Sequence, residues 1–146
     1  MKENSEPMKR ICIIDGQGGG IGMTIVKLLR QSCGESVEII ALGTNAIATA
    51  QMLKAGANRG GSGENAICQT LPQVDAVLGP VSITWPDAML GEVTGRIATA
   101  VTSCPAPKIL IPLHQENIDI VGTAREPLPH LVEMLVTKIK EVVDHV

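Results

Sequence analysis

The chain has 146 residues, enough for one hydrophobic core and too few for a cofactor domain joined to a separate substrate domain. Apolar residues make up 45% of it and the formal charge is -3, which excludes a disordered chain and the basic footprint of a nucleic-acid binder. Trp85 is the sole aromatic, so base-stacking platforms are excluded too, and Ile, Val, Leu, Met and Ala must fill the interior, as suits a buried parallel sheet.

Residues 1–7 read as a loose polar tail without signal-peptide character, and residues 8–146 as a single domain. No apolar run reaches bilayer length, so no membrane partner is expected and the expected location is the cytoplasm. The cysteines at 12, 33, 68 and 104 form no C-x-x-C pair and stand at no zinc-finger spacing from a histidine. They read as reduced thiols, and no metal site is expected.

Arg10 to Asp15 (RICIID) predicts a first strand, followed by glycines 16, 18, 19, 20 and 22. From Ile21 the apolar positions Ile25, Leu28 and Leu29 recur at helical spacing, and Gly34 closes that helix. Val37 to Leu42 predicts a second strand, and Thr44 or Asn45 caps a helix running to Lys54. Asn58 to Gly63 reads as a loop, Glu64 to Gln69 as a short helix stopped by Pro72, and Asp75 to Leu78 as a third strand. A helix from Asp87 to about Ser103 follows, interrupted by Gly91 and Gly95, each costing roughly 1 kcal/mol against alanine in a helix interior. Lys108 to Ile111 predicts a fourth strand. Asn117 to Val121 follows it so closely that it is expected as a fifth, antiparallel strand at the sheet edge. Leu128, Leu131, Leu135, Ile139 and Val142 mark a final amphipathic helix. The expected fold is therefore α/β: a single Rossmann-like, doubly wound, three-layered sheet. It has five strands in order 2-1-3-4-5, mostly parallel with an antiparallel edge.

The segment Asp15-Gly16-Gln17-Gly18-Gly19-Gly20-Ile21-Gly22 satisfies the G-x-x-x-G-x-G spacing of short-chain dehydrogenases and also G-x-G-x-x-x-G. Both patterns turn the chain sharply after a strand and bring bare backbone up to a pyrophosphate, while the following helix aims free N–H groups and its positive dipole end at the anion. One or two glycines would suit a mere packing turn; five within residues 16–22 favour binding. The expected site is Gly16, Gln17, Gly18, Gly19, Gly20, Ile21 and Gly22, with Thr44 and Asn45 beside them. The amides near Gly20 to Met23 should lack partners within the helix. Gly22 is followed by Met23-Thr24, so the Walker lysine is missing. The acidic residue that holds the ribose in dinucleotide folds is also missing, because Thr44-Asn45 stands there, either contacting ligand or simply capping the helix. A chain without tyrosine cannot carry a Tyr-x-x-x-Lys catalytic pair.

The segments IDGQGGGIG, ALGTNAIAT, LKAGAN, GENAI, AMLGE and PLPHL, in order over roughly residues 8–143, resemble an uncharacterised bacterial family, domain-of-unknown-function family 3842. The resemblance implies a Rossmann-like bacterial cytoplasmic protein and no particular activity.

Other polar residues carry two readings each. Asp15 would repel a phosphate, or would cap the amides of its own loop. Glu64 and Asn65 line the site or begin a short helix. His114, beside Glu116 and Asn117, is the positional choice for a general acid or base, against the plain alternative of a surface histidine. His130 and His145 receive no role. Trp85, with Met89 and Leu90, stacks on a ring or anchors a homodimer. Glu92, beside Gly91, faces the cleft or, on the plainer reading, stands solvated on a helix. The expected ligand is a phosphate-bearing small molecule, with NAD(P) or another nucleotide as cofactor. The rival readings are a small enzyme using His114, and an oligomeric module whose glycine loop is only structural.

Overall fold

The computed structural model of the chain describes residues 8–113, 116–123 and 125–145. Five strands alternate with helices: β1 (Lys9–Asp15), β2 (Val37–Gly43), β3 (Arg59–Ser62), β4 (Ala76–Pro80) and β5 (Lys108–Ile111). The helices are α1 (Gly20–Cys33), α2 (Ala46–Ala55), α3 (Glu64–Thr70), α4 (Gly95–Ser103) and α5 (Leu128–His145). All strand pairs are parallel, in the order β3-β2-β1-β4-β5.

Strand alternation divides the interior in two. Cys12, Ile14, Ile40, Leu42 and Val77 face one way, onto Ile67 of α3 and Ile97 and Val101 of α4. Ile11, Ile13, Ile39, Ala41 and Leu78 face the other way, onto Ile25 and Leu29 of α1, Met52 of α2 and Val132, Leu135 and Ile139 of α5. Each central strand is thus buried on both faces, which is why the strands read as continuous apolar runs. All four cysteines are free thiols, and burial pushes the Cys12 thiol far above its ordinary pKa.

Three expectations are corrected. The sheet has no antiparallel edge: residues 117–121 form no strand, and Ile118, Ile120 and Val121 are exposed, so burial gives that segment nothing to pair for. The fifth strand is instead Arg59–Ser62, at the opposite edge, where a loop was expected. Its sequence, RGGS, has no β-propensity, and tertiary packing selects it. A Cβ at Gly60 would lie 2.8 Å from Thr49 Cγ2 and 3.0 Å from the Ala41 carbonyl, so glycine permits the close approach to β2. The order is accordingly 3-2-1-4-5 in place of 2-1-3-4-5.

The long helix expected from Asp87 also breaks. α4 begins only at Gly95, where the Thr94 side chain accepts from the Ile97 amide at 3.1 Å. Residues 85–93 form a compact loop closed by Asp87 N–H to the Val93 carbonyl at 2.6 Å and Val93 N–H to the Ala88 carbonyl at 3.1 Å. Asp87, Met89 and Leu90 there have φ of 68°, 57° and 56°, a left-handed backbone that disfavours side chains with a Cβ. Among the described residues, no helix is long and apolar enough to cross a membrane.

Candidate functional site

The chain leaves β1 outward through β2 to β3, then crosses back to β4 and β5 on the other side of β1. The reversal lies between β1 and β4, and loops at the carboxyl ends of the strands converge there. The glycine loop is one of them. Gly19 is the N-cap of α1 with φ 75°, and Gln17, though not glycine, has φ 50°. The Gly19 amide donates to the Gly16 carbonyl at 2.9 Å, which closes the turn.

The glycines serve different ends. A Cβ at Gly16 would lie 2.6 Å from Met89 Sδ and 2.9 Å from Glu92 Oε1, and one at Gly22 would lie 2.6 Å from Met52 Sδ. These two admit neighbouring chain. Gly18 and Gly20 are exposed, with nothing within 4 Å of a built Cβ. Packing therefore accounts for Gly16 and Gly22 and leaves Gly18 and Gly20 unexplained.

Two carboxylates already engage the loop. Asp15 is 4% exposed at the tip of β1; its Oδ1 accepts from Gly16 N–H at 2.8 Å and its Oδ2 from Gly22 N–H at 2.6 Å. Burial pushes the Asp15 pKa up, and the nearby Glu92 charge adds to this; the Gly22, Gly16 and Ile21 amides pull it down without reversing the rise. The amides near Gly20 to Met23, expected to lack partners within the helix, divide. Asp15, outside the helix, takes Gly22, and Met23 N–H donates to the Gly19 carbonyl at the helix N-cap at 2.8 Å. Among the described residues, the Gly18 and Gly20 amides have no acceptor.

Glu92 is the second carboxylate. Its Oε1 accepts from Gln17 N–H at 2.8 Å, Thr44 Oγ1 at 2.6 Å and Asn45 Nδ2 at 2.8 Å. Partial burial raises its pKa, but the Thr44, Gln17 and Asn45 hydrogen bonds together outweigh that and hold it below the ordinary range. The reading of Glu92 as a solvated helix position is therefore corrected: it sits on the loop before α4 and reaches into the site. Thr44 and Asn45 do lie beside the glycine loop. Asn45 also caps α2, its Oδ1 accepting from Ala48 N–H at 2.9 Å, so of Thr44 and Asn45 it is Asn45 that is the cap. Three donors from two strand tips converging on one oxygen make an anion position, which an internal anion fills.

The remaining residues sort as follows. Glu64 accepts from Thr94 Oγ1 at 2.6 Å and faces Arg96, so it ties α3 to α4; Asn65 is exposed on α3. His130 pairs with Glu126 at 3.3 Å on the surface. Trp85 packs against the core, Met89 is buried and Leu90 is 97% exposed. His114 lies outside the described residues. Glu116, flagged only as its neighbour, accepts from Met89 N–H at 2.8 Å and so fastens the 85–93 loop. Glu92 ends the AMLGE segment, a signal that could have drawn it to the site, whereas Ser82, which follows β4 and is 2% exposed, stands in none of the quoted motifs and sequence reasoning passes it over. Among the described residues, no group of three or more His, Cys, Asp or Glu is placed to hold a metal ion.

No curated protein and no solved structure matches the chain. The family model described as Domain of unknown function (DUF3842) matches residues 10–144, so the chain belongs to that family.

Proposed function

We propose that this chain is a Rossmann-like nucleotide-binding domain that holds a phosphate-bearing small molecule, NAD(P) or another nucleotide, over the glycine loop. The observation that carries the reading is the pair of exposed, unclaimed amides at Gly18 and Gly20, at the N-terminal end of α1 and beside the β1/β4 reversal. Neither glycine is needed for packing, and bare backbone at both leaves room for a phosphate oxygen. The ribose-binding carboxylate of dinucleotide folds has no counterpart at Gly43-Thr44-Asn45, so affinity rests on the phosphate end.

A second reading has its own support. Asp15 and Glu92 together satisfy the amides of Gly16, Gln17 and Gly22, as they would in a loop that is purely structural. One variant separates the two. Valine at Gly20 meets open space, so Gly20→Val retains the fold. On the binding reading it abolishes the thermal shift produced by pyrophosphate, NAD, NADP or ATP. If none of these raises the melting temperature of the wild-type chain at millimolar concentration, the structural reading stands in its place.

A further inference from the structure

On the β4 side of the glycine loop, the strand tips and the 85–93 loop enclose a cavity of about 200 Å3. Ile21, Pro80 and Leu113 give it apolar walls, and Asp15, Ser82 and Glu116 bring polar groups to it. Ser82 is the informative one. Its side chain is almost entirely buried, yet its hydroxyl forms no hydrogen bond among the described residues. It is not sealed away either, because no fully enclosed side-chain oxygen or nitrogen among the described residues lacks a partner. The hydroxyl therefore opens on the cavity. Leaving a buried hydroxyl unpaired costs stability, and alanine would cap the end of β4 without that cost.

The charge of the lining decides what fits. Asp15 and Glu116 are acidic, and no Lys, Arg or His is among the described lining residues. An anionic group would be repelled by these two carboxylates. A cation or a neutral group bearing N–H or O–H donors would be attracted to the carboxylates and would pair the serine. Cavities of about 150 Å3 hold benzene, so a six-membered ring with one polar substituent is accommodated. The geometry points to a subsite for an uncharged or cationic, donor-bearing, ring-sized group, recognised by Ser82 together with the Asp15 and Glu116 carboxylates. Gln17 belongs to this cavity and to the glycine loop alike. A molecule with its phosphate at Gly18 and Gly20 can therefore reach the subsite with its other end. That identification of the subsite as the head-group end of the ligand rests on the glycine-loop reading; the cavity's own selectivity does not.

Three probes of one shape and different charge test it: benzamidine, benzamide and benzoate, titrated into the full chain labelled with 15N, with pyrophosphate titrated separately. Benzamidine and benzamide are expected to move the amides of Gln17, Ser82 and Met89 with affinities around millimolar, at least about tenfold tighter than benzoate. Ser82→Ala is expected to weaken benzamide by about fivefold or more while the melting temperature holds, and Ser82→Val, which also fills the space, to abolish binding. Benzoate binding as well as benzamide, shifts mapping away from Ser82, or indifference to Ser82→Ala would each overturn the subsite. If the ring probes bind at Ser82 and pyrophosphate does not bind, the subsite stands and the glycine-loop reading falls. If pyrophosphate binds and no ring probe does, the subsite alone falls.

Discussion

Replacing Glu92 by alanine should make the protein less stable and, at the same time, a better anion binder. The carboxylate accepts three hydrogen bonds through one oxygen, from Gln17 N–H, Thr44 Oγ1 and Asn45 Nδ2, and so joins the 85–93 loop to the tips of β1 and β2. A bond to a charged group contributes roughly 1.5–3 kcal/mol when buried. These are part-buried, water replaces some of the lost partner, and Asn45 Nδ2 keeps its second acceptor, the Gln17 carbonyl at 2.9 Å. The net loss is therefore about 2 kcal/mol, well below the simple sum over three fully buried bonds. In a domain of this size that lowers the melting temperature by about 4–8 °C, which scanning calorimetry resolves. The same change frees three converging donors and removes a negative charge, so pyrophosphate should bind about tenfold more tightly by titration calorimetry, a gain of about 1.4 kcal/mol. An unchanged melting temperature would show that Glu92 clamps nothing. Lower stability without tighter pyrophosphate binding would show that the three donors do not form an anion position.

Glu92→Gln should lose stability against wild type at neutral pH, with the gap closing under acid. The wild-type carboxyl has a depressed folded pKa, so its contribution is full above the ordinary glutamate pKa and disappears as pH falls through the lower folded value. Denaturant melts at neutral and acidic pH measure this, and a gap that widens on acidification would contradict it. Gly16→Ala should destabilise by about 1–3 kcal/mol, because the new methyl meets Met89 Sδ at 2.6 Å and Glu92 Oε1 at 2.9 Å; urea melts read the loss, and wild-type stability would mean that the 85–93 loop lifts away freely. Asn45→Ala should cost about 1 kcal/mol as a lost helix cap, plus part of the Glu92 clamp. In a double-mutant cycle with Glu92→Ala the two losses should add to less than their sum, and strict additivity would deny the contact.

Much of this protein is legible in the chain because its signals are local. β1, β2 and β4 are apolar runs that suit a doubly buried strand, and Gly34, Asn45 and Gly56 mark helix ends by their own backbone and capping chemistry. The glycine loop between a strand and a helix announces a tight turn at a strand tip, and Asp15 binds amides at the two ends of that loop, Gly16 and Gly22. What the tertiary structure decided depends on partners far along the chain. RGGS becomes a strand because β2 leaves an edge that bare backbone can approach, whereas the better-patterned residues 117–121 find no edge and stay exposed. Glu92 becomes the anion of the loop because positive φ values at Asp87, Met89 and Leu90 fold the 85–93 segment back over residue 17, a contact spanning 75 positions that no periodicity encodes. Ser82 acquires meaning only because β1, β4 and the loops beyond them close a cavity around its hydroxyl. Local backbone preference is written residue by residue, but which polar group meets which across the strand tips is settled by the packing of the whole sheet.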